Sequence, residues 1–160
     1  STQLLAGGDI YPALEKGVID ATEFSMPTHD LSYGFYQLAK FNYFPGWHQQ
    51  TSVSELLMGL KAWQGLTKYQ QSMINTACRD TMFWALVRSD AKQVPAMREL
   101  EKKGVTFVRW KDEDLAKLRK AWDEVVKEKS ASDPLFAKIT KSYQAFRDDY
   151  SIWAKNAYLN

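Results

Sequence analysis

Residues that can do chemistry are few in this chain, and most lie in its first half. Glu23 sits near the exit of "GVIDATEF" (residues 17–24), His29 and Asp30 follow within seven residues, and the second histidine stands in Pro45-Gly46-Trp47-His48-Gln49. Asp20, Cys78, Arg79 and Asp80 complete the polar candidates. Glu23, His29 and His48 together are the donor types of a metal-dependent enzyme. Their spacings match no ligand motif such as His-Glu-x-x-His, and His48 after Trp47 reads as readily as a satisfied loop histidine. Cys78 falls mid-helix on the side of Met73 and Ala77, where a thiol packed as a small apolar group is expected rather than a nucleophile. Arg79-Asp80 is most simply a solvated pair of charges. No Gly-x-Ser-x-Gly, phosphate-cradling glycine loop or dinucleotide fingerprint occurs, and Gly7-Gly8 alone does not make one.

Bulk composition narrows the classes further. The 160 residues suffice for one domain with a real core. The 21 basic residues are interleaved with 19 acidic ones, so no basic stripe points to nucleic acid. A single cysteine excludes an internal disulfide and a tetra-cysteine zinc site. No apolar run is long enough to span a membrane, and no charged-then-apolar leader stands at Ser1, which reads as a mature or trimmed chain. Six Trp, eight Tyr and eight Phe are many for this length. They cluster at 33–47 and 136–158.

The elements that must position these residues follow from punctuation and period. Gly7-Gly8-Asp9 reads as a loop into an N-cap at Asp9, with a short helix over 10–16 and Gly17 at the left-handed position after it. The apolar run 18–22 then reads as a parallel strand covered on both faces, which places Glu23 at its carboxyl end. Residues 25–34 carry loop chemistry, 35–40 one or two helical turns, and 41–44 a short aromatic strand stopped by Pro45-Gly46. A further strand is expected over 53–58. Thr67 and Gln70 form a capping-box pattern opening a helix to about Val94, which Pro95 should kink or break and Gly104 end. Residues 105–110 alternate as a strand. Asp112 is expected to cap an amphipathic helix with Leu115, Leu118, Trp122 and Val125 on one face.

The last helix is the most regular feature. Asp133-Pro134 is a cap and first-turn pair, and Phe136, Ile139, Tyr143, Phe146, Tyr150 and Trp153 recur at a 3.5-residue period as far as about residue 158. A helix of some 24 residues is about 36 Å long. It either closes its own domain or reaches to another domain or subunit.

Glu23 has two readings. A carboxylate at a strand end is commonly solvated, yet that is also where open α/β sheets bind ligands.

Three stretches bear on the choice: "GGDIYPALEKGVIDATEF", "LSYGFYQLAKFNYFPGW" and "DPLFAKITKSYQAFRDDYSIW". In that order they resemble the solute-binding proteins of tripartite ATP-independent periplasmic (TRAP) transporters, in the subgroup for 2-oxo acids and similar carboxylates, often described as mannitol/chloroaromatic-type. The resemblance spans essentially the whole chain and fits the C-terminal half of such a protein. It implies an α/β fold: the C-terminal portion of a two-lobed periplasmic-binding-protein fold, helix-rich, with a long C-terminal amphipathic helix. Residues 1–110 would be part of the second lobe with hinge-crossing segments, and 111–160 a C-terminal helical region. The implied protein is exported and periplasmic, its signal peptide and N-terminal half lying outside this sequence.

Residue by residue, the resemblance makes Glu23 a ligand to a bridging Na⁺ or Ca²⁺ ion, with Phe24 offering its backbone carbonyl where the family usually has Trp. Gln49 stands where an acidic residue is common after Pro-Gly-Trp. It becomes a possible ion ligand of one charge fewer, and with Trp47 and Phe24 it forms the implied substrate-binding set. The implied partners are a small organic acid, membrane transporter subunits and a second copy through the C-terminal helix, with no nucleic acid. The competing readings are the metal-dependent enzyme on Glu23, His29 and His48, and a structural helical oligomerisation module.

Overall fold

The computed structural model describes residues 1–47, 49 and 51–157. It divides into two compact units, Ser1–Arg109 and Trp110–Asn160.

The first unit opens with α1 (Gly7–Glu15), which starts three residues before the expected helix. Its N-cap is Ala6, and Asp9 falls in the first turn, where a carboxylate complements the helix dipole. Gly17 is left-handed at φ 66°. The Gly17 N–H donates to the Leu14 carbonyl at 3.1 Å and the Val18 N–H to Ala13 at 2.9 Å, a double closure of the helix end. The same bonds overturn the strand expected over 18–22. A strand needs a ladder partner, but the Val18 and Ile19 amides are drawn back to the Ala13 carbonyl, and Val18 is 63% exposed.

The segment 25–34, expected to be loop, contains α2 (Pro27–Tyr33), with Pro27 in its first turn and Gly34 left-handed behind it at φ 77°. One turn of 3₁₀ helix (Phe35–Gln37) leads to β1 (Phe41–Phe44). β1 pairs in parallel with β2 (Thr106–Arg109), Phe41 opposite Thr106 and Phe44 opposite Arg109. Phe44 and Phe107 meet across this ladder edge to face, centroids 5.7 Å apart. The strand expected over 53–58 is not formed: those residues are irregular and exposed.

A short α3 (Leu60–Gln64) precedes α4 (Lys68–Lys102), 35 residues opened by the expected capping box between Thr67 and Gln70. α4 does not break at Pro95. The turns beyond it bury Ala96 and Leu100, and that packing outweighs one missing amide bond. The helix ends at Gly104, φ 85°, with the same double closure: Gly104 N–H to Glu101 at 2.9 Å and Val105 N–H to Leu100 at 3.0 Å. The core of the chain is Ile10, Phe35, Ala96, Leu100 and Val105. Cys78, expected in a core, is exposed, as are Met73, Met82, Phe83 and Trp84 around it on α4.

The second unit is a helical hairpin. α5 (Asp112–Ser132) is capped by Lys111 rather than Asp112, which instead joins Glu113 and Asp114 in an acidic first turn. α6 (Pro134–Ala157) starts as expected: the Asp133 carboxylate accepts from the Leu135 and Phe136 amides at 2.8 and 3.0 Å. α5 packs on α6; Leu115, Leu118, Phe136 and Ala137 are half-buried, while Ile139, Tyr143, Phe146, Tyr150 and Trp153 remain exposed.

Candidate functional site

The segment between α1 and α2 carries Glu23 and Phe24 on an irregular stretch rather than at a strand end. What fixes it is aromatic packing. The Phe24 ring meets Tyr33 at 4.9 Å and Phe35 at 5.5 Å, both edge to face, and the His29 imidazole at 6.5 Å. Tyr33 and Phe35 stack on each other at 5.9 Å, and Tyr11 of α1 stacks on Phe35 at 6.5 Å. Edge-to-face pairs of this kind add directional preference to the burial itself. α1 also leaves room for the ring: a Cβ on Gly7 would come within 3.3 Å of Phe24 Cε2. Phe24 is thereby anchored through its side chain while its backbone stays on the irregular segment. The Glu23 side chain next to it is exposed, and the Thr22 hydroxyl donates to the Glu23 carbonyl at 3.0 Å.

α2 supplies the polar surroundings. His29 Nδ1 lies 3.2 Å from Ser25 Oγ. Half-buried Asp30 accepts from Asn42 Nδ2 of β1 at 2.9 Å, tying α2 to the sheet. Burial raises the Asp30 pKa above the ordinary aspartate value; the Asn42 hydrogen bond and the nearby His29 oppose this, and the charge of Glu23 adds to it. On its other side α2 meets α4, where Gln93 accepts from the Thr28 amide at 3.2 Å.

Trp47 and Gln49 lie beyond the carboxyl end of β1, after the cis Phe44–Pro45 bond and Gly46. Trp47 is 43% exposed, and Gln49 Nε2 donates to Ser52 Oγ at 2.8 Å. The structure thus gathers Glu23, Phe24, His29 and Asp30 in one neighbourhood and sets Trp47 and Gln49 on a second segment, at the strand end where parallel sheets receive ligands. Asp30 and Asn42 link the two segments. His48 lies outside the described residues, so the donor set of Glu23, His29 and His48 has no described geometry. Among the described residues no three His, Cys, Asp or Glu side chains gather as a metal cluster. The residues that sequence reasoning missed are Tyr33, Phe35, Asn42 and Gln93. Pro27 and Gly34, seven residues apart, were the one local sign of the helix that carries their partners.

Residues 1–133 match the family described as bacterial extracellular solute-binding protein, family 7. A monocarboxylate 2-oxoacid-binding periplasmic protein of Nostoc sp. strain PCC 7120 is 31% identical over 153 residues, 96% of this chain and 42% of that protein. Among solved structures, a TRAP transporter solute-binding protein from Bordetella bronchiseptica RB50 superposes with a TM-score of 0.85 at 32% identity, over 97% of this chain and 47% of the other. It is a mixed-occupancy dimer, described with copurified calcium and picolinate in one active site and with an apo site. A TRAP periplasmic solute-binding protein from Pseudoalteromonas atlantica T6c, with bound sodium and pyruvate, shares the fold at a TM-score of 0.78 and 24% identity, again over 97% of this chain and 47% of the other. The chain therefore spans about half the length of the relatives it matches. The fold defines the class: a helix-rich α/β portion of a periplasmic-binding-protein domain. Within that class, the chain belongs to the family of bacterial extracellular solute-binding proteins, family 7.

Proposed function

We propose that this protein captures a small 2-oxo or 2-hydroxy acid in the periplasm, between the two lobes of the complete protein, and delivers it to the membrane subunits of a TRAP-type transporter. The Glu23 carboxylate and the Phe24 backbone carbonyl hold a Na⁺ or Ca²⁺ ion, with the Gln49 amide oxygen as a further ligand; the Phe24 and Trp47 rings form the aromatic wall. This donor set suits a hard cation, since every atom in it is an oxygen. One carboxylate rather than several leaves coordination positions for the oxygens of the substrate. A bare substrate carboxylate and Glu23 repel each other; the ion supplies the positive charge that turns repulsion into a bridge, more strongly in a cleft closed to water.

The observation that carries this reading is the pairing at 23 and 24: an exposed carboxylate beside a residue whose ring is locked among Tyr33 and Phe35. It is supported by the 32% identical relative described with calcium and picolinate. In the complete protein, Glu23→Ala is expected to abolish calorimetric binding of pyruvate in the presence of Ca²⁺ or Na⁺ while leaving far-UV circular dichroism unchanged. Parental affinity in the variant would remove Glu23 from the site.

The exposed apolar face of α6 favours a second, compatible role. A seam of Ile139, Tyr143, Phe146, Tyr150 and Trp153 fits a homodimer formed through the C-terminal helix.

A further inference from the structure

We infer that Gln93, on the long helix α4, is a positioning residue for the cation- and acid-binding segment: its amide clasps the start of α2 and so holds Glu23 and Phe24 in register. This inference rests on the function proposed above.

α2 lacks a cap of its own. Its N-cap is Met26, whose side chain makes no capping hydrogen bond, and Pro27 has no amide proton. The first donor of the helix is therefore the Thr28 N–H, and nothing in the local sequence is built to receive it. Gln93 Oε1 receives it at 3.2 Å, from 65 residues away in the chain. The same amide uses its nitrogen on three partners: the Ser89 carbonyl at 2.9 Å, Thr28 Oγ1 at 3.4 Å and Met26 Sδ at 3.8 Å. Ser89 Oγ adds a contact to Met26 Sδ at 3.6 Å.

The bond to the Ser89 carbonyl fixes which way the amide faces, since one face must donate along α4 and the other must accept from α2. Residue 26 is thus gripped only two positions after Phe24 and three after Glu23. Upstream, the segment is fixed at Gly17 and Val18 by the closed end of α1. Between these two anchors the Phe24 ring is held in its aromatic cluster, the Thr22 hydroxyl donates to the Glu23 carbonyl, and Ser25 Oγ lies 3.2 Å from His29 Nδ1. Loosening the clasp frees the downstream anchor and lets the Glu23 carboxylate and the Phe24 carbonyl drift apart. Groups that orient metal ligands from behind carry a share of affinity well beyond their own bond.

The test uses the complete protein with pyruvate and Ca²⁺ as probes, by calorimetry. Gln93→Leu keeps roughly the side-chain volume and removes the clasp; affinity is expected to fall by about tenfold or more. Gln93→Glu keeps an acceptor for the Thr28 amide but gives up the bond to the Ser89 carbonyl, and is expected to lose clearly less affinity than the Leu variant. Hydrogen exchange over residues 19–30 should accelerate in the Leu variant and not in the Glu variant. Parental affinity in Gln93→Leu overturns the inference. So does an equal loss in both variants with equal falls in thermal midpoint, because that is what a purely structural residue would give. Glu23→Ala run alongside separates the two levels. If it too binds normally, the site itself is misassigned; if it is blind to pyruvate while Gln93→Leu binds normally, only the clasp is wrong.

Discussion

Asp30 shows how a single half-buried carboxylate reports on the neighbourhood of the site. Burial raises its pKa, so the native state holds that proton more tightly than the unfolded chain does. The stabilisation is present below the ordinary aspartate range and is lost as pH rises through the folded-state value. Asparagine at this position has no such dependence and can still accept from Asn42. The thermal midpoint of Asp30→Asn relative to the parent is therefore expected to improve between about pH 4 and about pH 7. A difference that stays flat or reverses over that interval would place Asp30 in a more solvated setting. At this scale the sequence was only partly informative. Glu23, Phe24, Trp47 and Gln49 could be singled out from local context and resemblance. The partners that hold the neighbourhood together, Asn42 and Gln93, are side chains without a motif, and they act across 12 and 65 residues.

Among the elements, helix ends were the most legible feature because capping is local chemistry. Thr67 with Gln70, Asp133, Gly17 and Gly104 all sit where their side chains or backbone freedom are used. Replacing Asp133 by Ala leaves the Leu135 and Phe136 amides without that carboxylate. It is expected to cost about 1 kcal/mol of stability, read by thermal or denaturant unfolding of the complete protein. A loss near zero would mean that water replaces the carboxylate at no cost. Strand 18–22 and helix α2 were misread for opposite reasons. The first has the β-branched, apolar composition of a strand but no neighbour to pair with among the described residues, so its amides close α1 instead. The second is polar and short, and its missing cap comes from α4 rather than from its own sequence.

For the whole molecule, the telling observation is how much apolar surface the chain presents. Met82, Phe83, Leu86 and Val87 on α4, and the α6 seam, are exposed in a chain that spans under half of its relatives. Such faces are where more protein is to be expected. For α6 the proposed cover is a second copy. Tyr143→Glu and Phe146→Glu, made together in the complete protein, are expected to shift the mass by light scattering from dimer to monomer. An unchanged mass with unchanged stability would argue that the seam faces nothing. The period of that seam was plain in the sequence, because a 3.5-residue repeat survives any context. Which surface it meets was not, since a repeat specifies a stripe and not its partner.

α4 also has a mechanical consequence. From Gln93 back to Lys68 it is a rod of about 38 Å, at 1.5 Å per residue. A tilt of about 5° pivoting at Gln93 sweeps the Lys68 end through roughly 3 Å over that length. An adjustment too small to break any hydrogen bond beside Glu23 is magnified, at the far tip, to nearly the width of an atom.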